Sequence, residues 1–435
     1  MSNKDTSAMS EENDEKTALV PRLRFPEFRE AGEWAVPELQ EISMPVDERV
    51  GDRQLTPVSI SAGIGFVPQA EKFGRDISGN QYRLYTLVRD GDFVYNKGNS
   101  LKFPQGCVYD LQDWGEVAAP NVFICFRLKA GYENGFFRYC FEKNAHGLQL
   151  KKHITSGARS NGLLNISREA FFGVRIPTPK NEEQQKIAEF LSSLDELITT
   201  EGQKLDALKA RRKGLMQQLF PREGEPVPRV RFPEFWDAGE WEEKNLEELA
   251  NRGSGHTPSK ANPEYYGGGI KWVSLADSKR LDSGLISETE IEISEEGIKN
   301  SSAVLHPAGT VILSRDAGVG KSAIMASPMA VSQHFIAWSC NSDRLLNWFL
   351  YYSLQRSKPL FDRVATGSTI KTIGLPFFVE MRIMLPSLQE QQKIADCLSS
   401  IDDLIGAQSR KIEGLKIHKK GLMQQLFPVL DEVPA

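Results

Sequence analysis

Apolar residues recur every seven positions in two stretches of the chain. Ile187, Leu194, Leu208 and Leu215 are spaced by sevens, and Leu191, Ile198, Leu205 and Leu219 fill the places four further on. Ile394, Ile401, Leu415 and Leu422, with Leu398, Ile405, Ile412 and Leu426, repeat the pattern. This is the heptad seam of a long helix that meets a partner helix. Glu201 and Arg212 interrupt the first seam, and Gln408 and Lys419 interrupt the second at matching places. Each stretch follows a proline, starts acidic, turns basic late (211–213, 419–420) and ends before Pro221 or Pro428, as the helix dipole favours. Residues 182–220 at 1.5 Å each predict a rod of about 58 Å. Two such rods are expected to pack on each other antiparallel, with packing on the neighbouring segment as the alternative.

Elsewhere the periodicity shortens. LYTLVRDGDFVYNKG (84–98), VFICFRL (122–128), KWVSLAD (271–277), TVILSRD (310–316) and HFIAWSC (334–340) read as strands, and DRLLNWFLYYSLQ (343–355) reads as a helix.

The helical stretches belong to a larger repeat. PRLRFPEFREAGEW (21–34) returns as PRVRFPEFWDAGEW (228–241), EEQQKIAEFLSSLDELI (182–198) as QEQQKIADCLSSIDDLI (389–405), and KGLMQQLFP (213–221) as KGLMQQLFP (420–428), all offset by 207 residues. The chain is two copies of one unit. Its segments are an acidic tail expected to be disordered (1–20), an arm (21–34), a first block (35–180), a first helix (181–221), a linker and second arm (222–241), a second block (242–387), a second helix (388–428) and a tail (429–435). The blocks are equal in length with little evident identity. A kept frame with varied inserts suggests one scaffold presenting two recognition surfaces, in an α+β architecture with pseudo-twofold tandem repetition.

A chain of 435 residues, 40% hydrophobic and 26% charged, has the balance of a globular protein of several domains. Five cysteines with no C-x-x-C pair and an N-terminus without an apolar run imply a reduced, cytoplasmic setting. No 18-residue apolar segment occurs, so no membrane span is expected. The six histidines show no metal-ligand spacing.

Three motifs suggest catalysis and fall short of it. DAGVGKSA (316–323) resembles a phosphate loop, but Arg315 stands where the first glycine is needed. ANPEYYGG (261–268) is similar to the N-P-P-Y element of amino-methyltransferases, with Glu264 replacing a proline. Glu242-x-Lys244 could belong to a nuclease cluster, yet the first copy reads Ala35-Val36-Pro37 there. No catalytic residues and no cofactor are expected.

The net charge of −5 hides a contrast. The first block holds 18 Lys and Arg against 15 Asp and Glu, the second 15 against 16, and the rest 20 against 27. Within the blocks, basic and amide residues gather in glycine-rich turns, at 95–106, 149–162, 255–272 and 366–374. Phosphate contacts need Lys, Arg, Ser and Thr, and base edges need Arg, Lys, Asn and Gln. The candidate DNA-contacting residues are therefore Lys97, Asn99, Lys102, Lys151, Lys152, Arg159, Asn161, Ser259, Lys260, Tyr265, Lys271, Arg315, Lys321, Thr369 and Lys371. Ordinary surface loops are the alternative for each.

The doubled EQQKIA-x-x-L-S-S-[LI]-D-[ED]-L-I helix, the doubled KGLMQQLFP and the PRxRFPEF arm closely resemble the specificity subunit of type I restriction-modification systems. The resemblance covers nearly all the chain after residue 20. It implies a noncatalytic protein with two target recognition domains, 35–180 and 242–387, held apart by two antiparallel helices. Each domain would read one half of a bipartite site on double-stranded DNA. It also implies partners: two adenine-N6 methyltransferase subunits on the helices, and ATP-dependent restriction and translocase subunits. ATP chemistry would then belong to partners. A coiled-coil scaffold without DNA specificity and a nucleotide-binding enzyme are the competing classes.

Overall fold

The heptad stretches form two uninterrupted helices, Asn181–Gln218 and Leu388–Leu426, in the computed structural model, which describes residues 19–98, 103–154, 164–368 and 370–430. Acidic residues occupy the first turn of each. The last turns carry no basic residue, because both helices run on through Leu-Met-Gln-Gln beyond the Arg/Lys clusters.

The chain divides into one unit of residues 1–200 with 412–435 and another of residues 201–411. Each helix thus gives its two ends to different units. In the first unit Ile187, Ala188 and Leu191 share a core with Met423, Leu426 and Phe427. In the second, Ile394 and Leu398 share one with Met216, Leu219 and Phe220. The start of one helix lies beside the end of the other, so the pair is antiparallel within each unit. The helices also enter the core of the adjoining block, so both packing expectations hold at once.

The seam is buried unevenly. Ile187, Leu191, Leu219, Ile394, Leu398, Ile401 and Leu426 are buried, whereas Leu194, Ile198, Leu205, Leu208, Leu215, Ile405, Ile412, Leu415 and Leu422 are half-buried. The polar interruptions pair with partners. Gln408 Nε2 donates to the carboxylate of Glu201 at 2.6 Å. Arg212 pairs with Asp402, which also accepts from Tyr352 Oη at 2.9 Å. Lys419 pairs with Asp195 at 2.8 Å, and Asp195 accepts from Tyr139 Oη at 2.8 Å.

Among the described residues, the first block contains the strands β1 (Ser43–Pro45), β2 (Thr56–Ser61), β3 (Gly65–Pro68), β4 (Thr86–Arg89), β5 (Phe93–Asn96), β6 (Cys107–Asp110), β7 (Glu116–Ala119) and β8 (Ile124–Leu128). They form two sheets, β1-β8-β5-β6 and β3-β2-β7-β4. The second unit contains β9 (Glu242–Asn245), β10 (Ala250–Ser254), β11 (Tyr266–Val273), β12 (Leu285–Ile286), β13 (Ile291–Ile293), β14 (Val311–Ser314), β15 (Ser322–Met325), β16 (Ala330–Val331), β17 (Phe335–Cys340) and β18 (Arg382–Leu385). Its sheets are β10-β17-β14-β15-β12, β13-β11-β16 and β18-β9.

The two blocks share a plan that their sequences hide. β1-β8-β5-β6 and β10-β17-β14-β15 are both antiparallel with the same order in the chain. A helix follows in each, Asn134–Glu142 or Asn347–Arg356. In β5, Phe93 and Tyr95 face the core shared with the helices while Val94 faces a second core. In β14, Val311 and Leu313 face one core and Ile312 the other. Burial on both faces explains why these strands read as unbroken apolar runs.

Three local expectations are corrected. The stretch 84–98 is two strands, because Asp90-Gly91 turns the chain with Gly91 at φ 89°. The strand at 271–277 stops at Val273, where Asp277 Oδ2 accepts from Ser274 N at 2.9 Å and starts a 3₁₀ turn, Leu275–Lys279. The helix expected from 343 begins at Asn347, since Leu346 N donates instead to Gln391 Oε1 at 3.0 Å.

Candidate nucleic-acid interface

The stretch DAGVGKSA is the connection between antiparallel β14 and β15. A phosphate loop opens a helix; this one turns into a strand. Ala317, Gly318 and Gly320 take positive φ of 44°, 120° and 84°, which tightens the turn. Lys321 donates through Nζ to Ser278 O at 3.0 Å and Ser278 Oγ at 2.8 Å, which ties the turn to the Leu275–Lys279 segment.

Around this turn, loops of the second unit are cross-linked. Arg315 N donates to His334 O at 2.9 Å, and Ile373 N donates to Arg315 O at 3.0 Å. Asp316 bridges Thr372, and Thr366 and Thr372 exchange backbone hydrogen bonds at 3.0 and 2.8 Å. Thr257 bonds Gln333, and His256 N donates to Val331 O at 3.0 Å. Gly255 is needed there, since a Cβ would lie 1.8 Å from Val331 O. Residues 255–257, 315–321 and 331–334, with Thr366, Thr372 and Ile373, thus form one cross-linked group.

The candidates of this unit divide by environment. Ser259, Lys260 and Lys371 are exposed. Lys271 is engaged by Glu288 at 3.0 Å and Ser287 O. Tyr265 is half-buried, and its carbonyl accepts from Ser294 N at 2.9 Å. Arg315 joins the cross-linked group, and Thr369 lies outside the described residues. Glu242 and Lys244 pair with each other on β9 at 2.8 Å.

In the first unit the equivalent connection follows β5. Asn96 Nδ2 donates to Ile60 O at 2.9 Å and Asn96 Oδ1 accepts from Gly98 N at 2.8 Å. The half-buried Lys97 opens the connection as Arg315 does in the other unit. Asn99, Lys102, Arg159 and Asn161 lie outside the described residues. Lys151 and Lys152 are exposed at the end of the helix Ala145–Lys151.

The repeated motifs hold the blocks to the helices, a role that the sequence reading missed. Arg24 makes a two-pronged pair with Glu183 at 2.8 and 2.7 Å and donates to Gly32 O at 2.6 Å. Arg231 does the same with Glu390 at 2.8 and 2.7 Å and Gly239 O at 2.6 Å. Gln184 Oε1 accepts from Glu133 N at 2.9 Å and Gln391 Oε1 from Leu346 N at 3.0 Å, just ahead of the equivalent block helices. The signal was present in the sequence as polar residues repeated at one offset within both motifs.

A family model described as the type I restriction modification DNA specificity domain matches residues 94–210 and 238–416. The chain belongs to this family. Among its relatives, the specificity subunit of the type I restriction enzyme MjaIX from Methanocaldococcus jannaschii is 32% identical over 180 residues, 41% of each chain. The MjaVIII specificity subunit of the same organism is 26% identical over 294 residues, 65% of this chain and 68% of that one. The crystal structure of the type I restriction-modification S subunit from M. genitalium superposes with a TM-score of 0.58 at 15% identity, covering 95% of this chain and 100% of that one; this is a likeness of fold. For a member of the specificity family, two unlike blocks on one strand plan put difference where recognition would need it. No helix among the described residues is long and apolar enough to cross a membrane.

Proposed function

We propose that this chain is the DNA sequence-recognition subunit of a type I restriction-modification complex, without catalysis of its own. Residues 35–180 and 242–387 are its target recognition domains. Each reads one half of a bipartite site on double-stranded DNA, and the helices set the gap and dock two adenine-N6 methyltransferase subunits. Restriction and translocase subunits complete the assembly, and its setting is cytoplasmic. The observation that carries this reading is one sheet plan built twice from unlike sequences and held by repeated contacts. The scaffold keeps position while the connections after β5 and β14 are free to differ, which suits reading two different half-sites.

The test is a methylation map of DNA from a methylation-free host expressing the methyltransferase partner, with and without this chain. A split adenine motif that depends on this chain is expected. No new methylation from a purified complex that also fails to shift duplex DNA would favour a scaffold role and overturn the proposal.

A further inference from the structure

The turn after β14 holds two polar atoms without hydrogen-bond partners. Arg315 Nε and Asp316 Oδ1 are buried and make no hydrogen bond among the described residues. They form a long ion pair with each other at 3.9 Å, beyond hydrogen-bond reach. Buried polar groups are nearly always hydrogen-bonded, so each has lost hydration without gaining a hydrogen bond. Arg356 of the same unit also has a buried Nε without a hydrogen bond, whereas Arg231 and Arg212 each place two nitrogens on one carboxylate.

The backbone around the pair is fixed. Arg315 is held by its N–H to His334 and its carbonyl to Ile373. Asp316 is held by Ser314 Oγ, which donates to its carbonyl at 2.7 Å, and by its bridge to Thr372. His334 Nδ1 sits 2.8 Å from Asp316 Oδ2, which anchors one carboxylate oxygen and leaves the other without a hydrogen bond. The side chains keep 20% and 16% of their surface exposed, on atoms other than the buried Nε and Oδ1. A donor and an anchored acceptor carried side by side on a fixed backbone suit a reading site.

The chemistry selects the ligand. A carboxylate beside the guanidinium disfavours a phosphate, which would repel it. In the major groove, guanine offers N7 and O6 to an arginine, and the cytosine paired with it offers its N4 amino hydrogens to a carboxylate. We propose that Arg315 and Asp316 read a G·C pair in the half-site taken by residues 242–387, with Arg315 donating to guanine and Asp316 accepting from cytosine N4. His334 is the positioning residue that holds the carboxylate. This rests on the function proposed above and adds one base pair to it.

The test compares the full-length chain with its Arg315→Met and Asp316→Asn variants, each in complex with the methyltransferase partner. Methylation maps are combined with duplex binding over a salt series. Arg315→Met should relax one G·C position of one half-site by about 5- to 150-fold, the range of a bidentate base contact, with the other half-site and the salt slope unchanged. Asp316→Asn should relax the same or the adjoining position. Weakening on all sequences with a salt slope lower by about one would make Arg315 a phosphate contact and overturn the proposal. So would an unchanged motif, or relaxation at an A·T pair. A parent chain that directs no methylation and binds no duplex would instead overturn the function on which it rests.

Discussion

At the scale of single residues, the strongest constraints join segments far apart in the chain. Arg24 and Glu183 are separated by 159 positions, and their side chains are 6% and 1% exposed. Removing one member of such a pair leaves an unpaired buried charge, which costs about 3–5 kcal/mol. Glu183→Leu should therefore lower the denaturation midpoint strongly, and the double variant Arg24→Met, Glu183→Leu should recover much of the loss. A double variant no more stable than the single one would show that the pair acts through more than its charges. His146 offers a pH-dependent case. It is buried with neither ring nitrogen bonded among the described residues, and burial pushes its imidazole down to about 4. Its folded value lies below its ordinary value near 6.5, so the unfolded chain takes up the proton first. The stability that neutral His146 supports is complete above pH 6.5 and lost as the pH falls towards 4. In denaturant unfolding, His146→Leu should show a smaller loss between pH 7 and pH 5 than the parent. An equal loss in both would assign the pH dependence to other groups.

At the scale of elements, legibility follows the range of the interactions involved. The long helices were readable because heptad spacing and the closing prolines are local signals, and they start and stop within three residues of expectation. β5, β14 and β17 were readable as apolar runs because both faces of their sheets are covered. The sheet containing β2, β3 and β7 was not, since its strands of four to six residues are defined by pairing with distant partners. In the sequence Lys321 and Lys271 stand in or beside glycine-rich turns as candidate DNA contacts. Lys321 instead grips Ser278, 43 residues away, and no local pattern announces that bond. Arg315 and Asp316 stood in a motif considered for ATP, and their atoms without hydrogen bonds became visible only in three dimensions. The seam shows the same limit, since seven-residue spacing marks equal positions while tertiary packing makes them unequal. Leu191 and Leu398 are fully buried and Leu205 is half-buried. Leu191→Ala and Leu398→Ala should each cost about 2–5 kcal/mol, and Leu205→Ala clearly less, as read from denaturant midpoints. Equal costs would show that the seam contributes evenly along its length.

At the scale of the whole molecule, the repeat predicts that the blocks can replace one another. The frame offers each block matching fixtures: Gln184 or Gln391 ahead of the block helix, Asp195 or Asp402 for a tyrosine, and a cation beside that aspartate, Lys419 or Arg212. Tyr139 and Tyr352 fill the same place on equivalent helices, with Lys419 4.8 Å and Arg212 5.9 Å from the ring centres. A chain carrying 242–387 in place of 35–180 would therefore find the hydrogen bonds and charge pairs it makes in its own position. Among the foreseeable losses, Glu142, which joins Lys419 at 3.2 Å, has no acidic equivalent, because Gln355 occupies that place in the other helix. That ion pair is half-exposed at Glu142, so its loss should be small. The doubled chain should fold with a denaturation midpoint close to the parent's. On the proposed function, its methylation map should show the second half-site twice and the first not at all. A soluble doubled chain that still recognised the original first half-site would mean that the frame contributes to reading, and would end the modular account. A chain that failed to fold would place specific complementarity between each block and its own helix ends, beyond the fixtures named here.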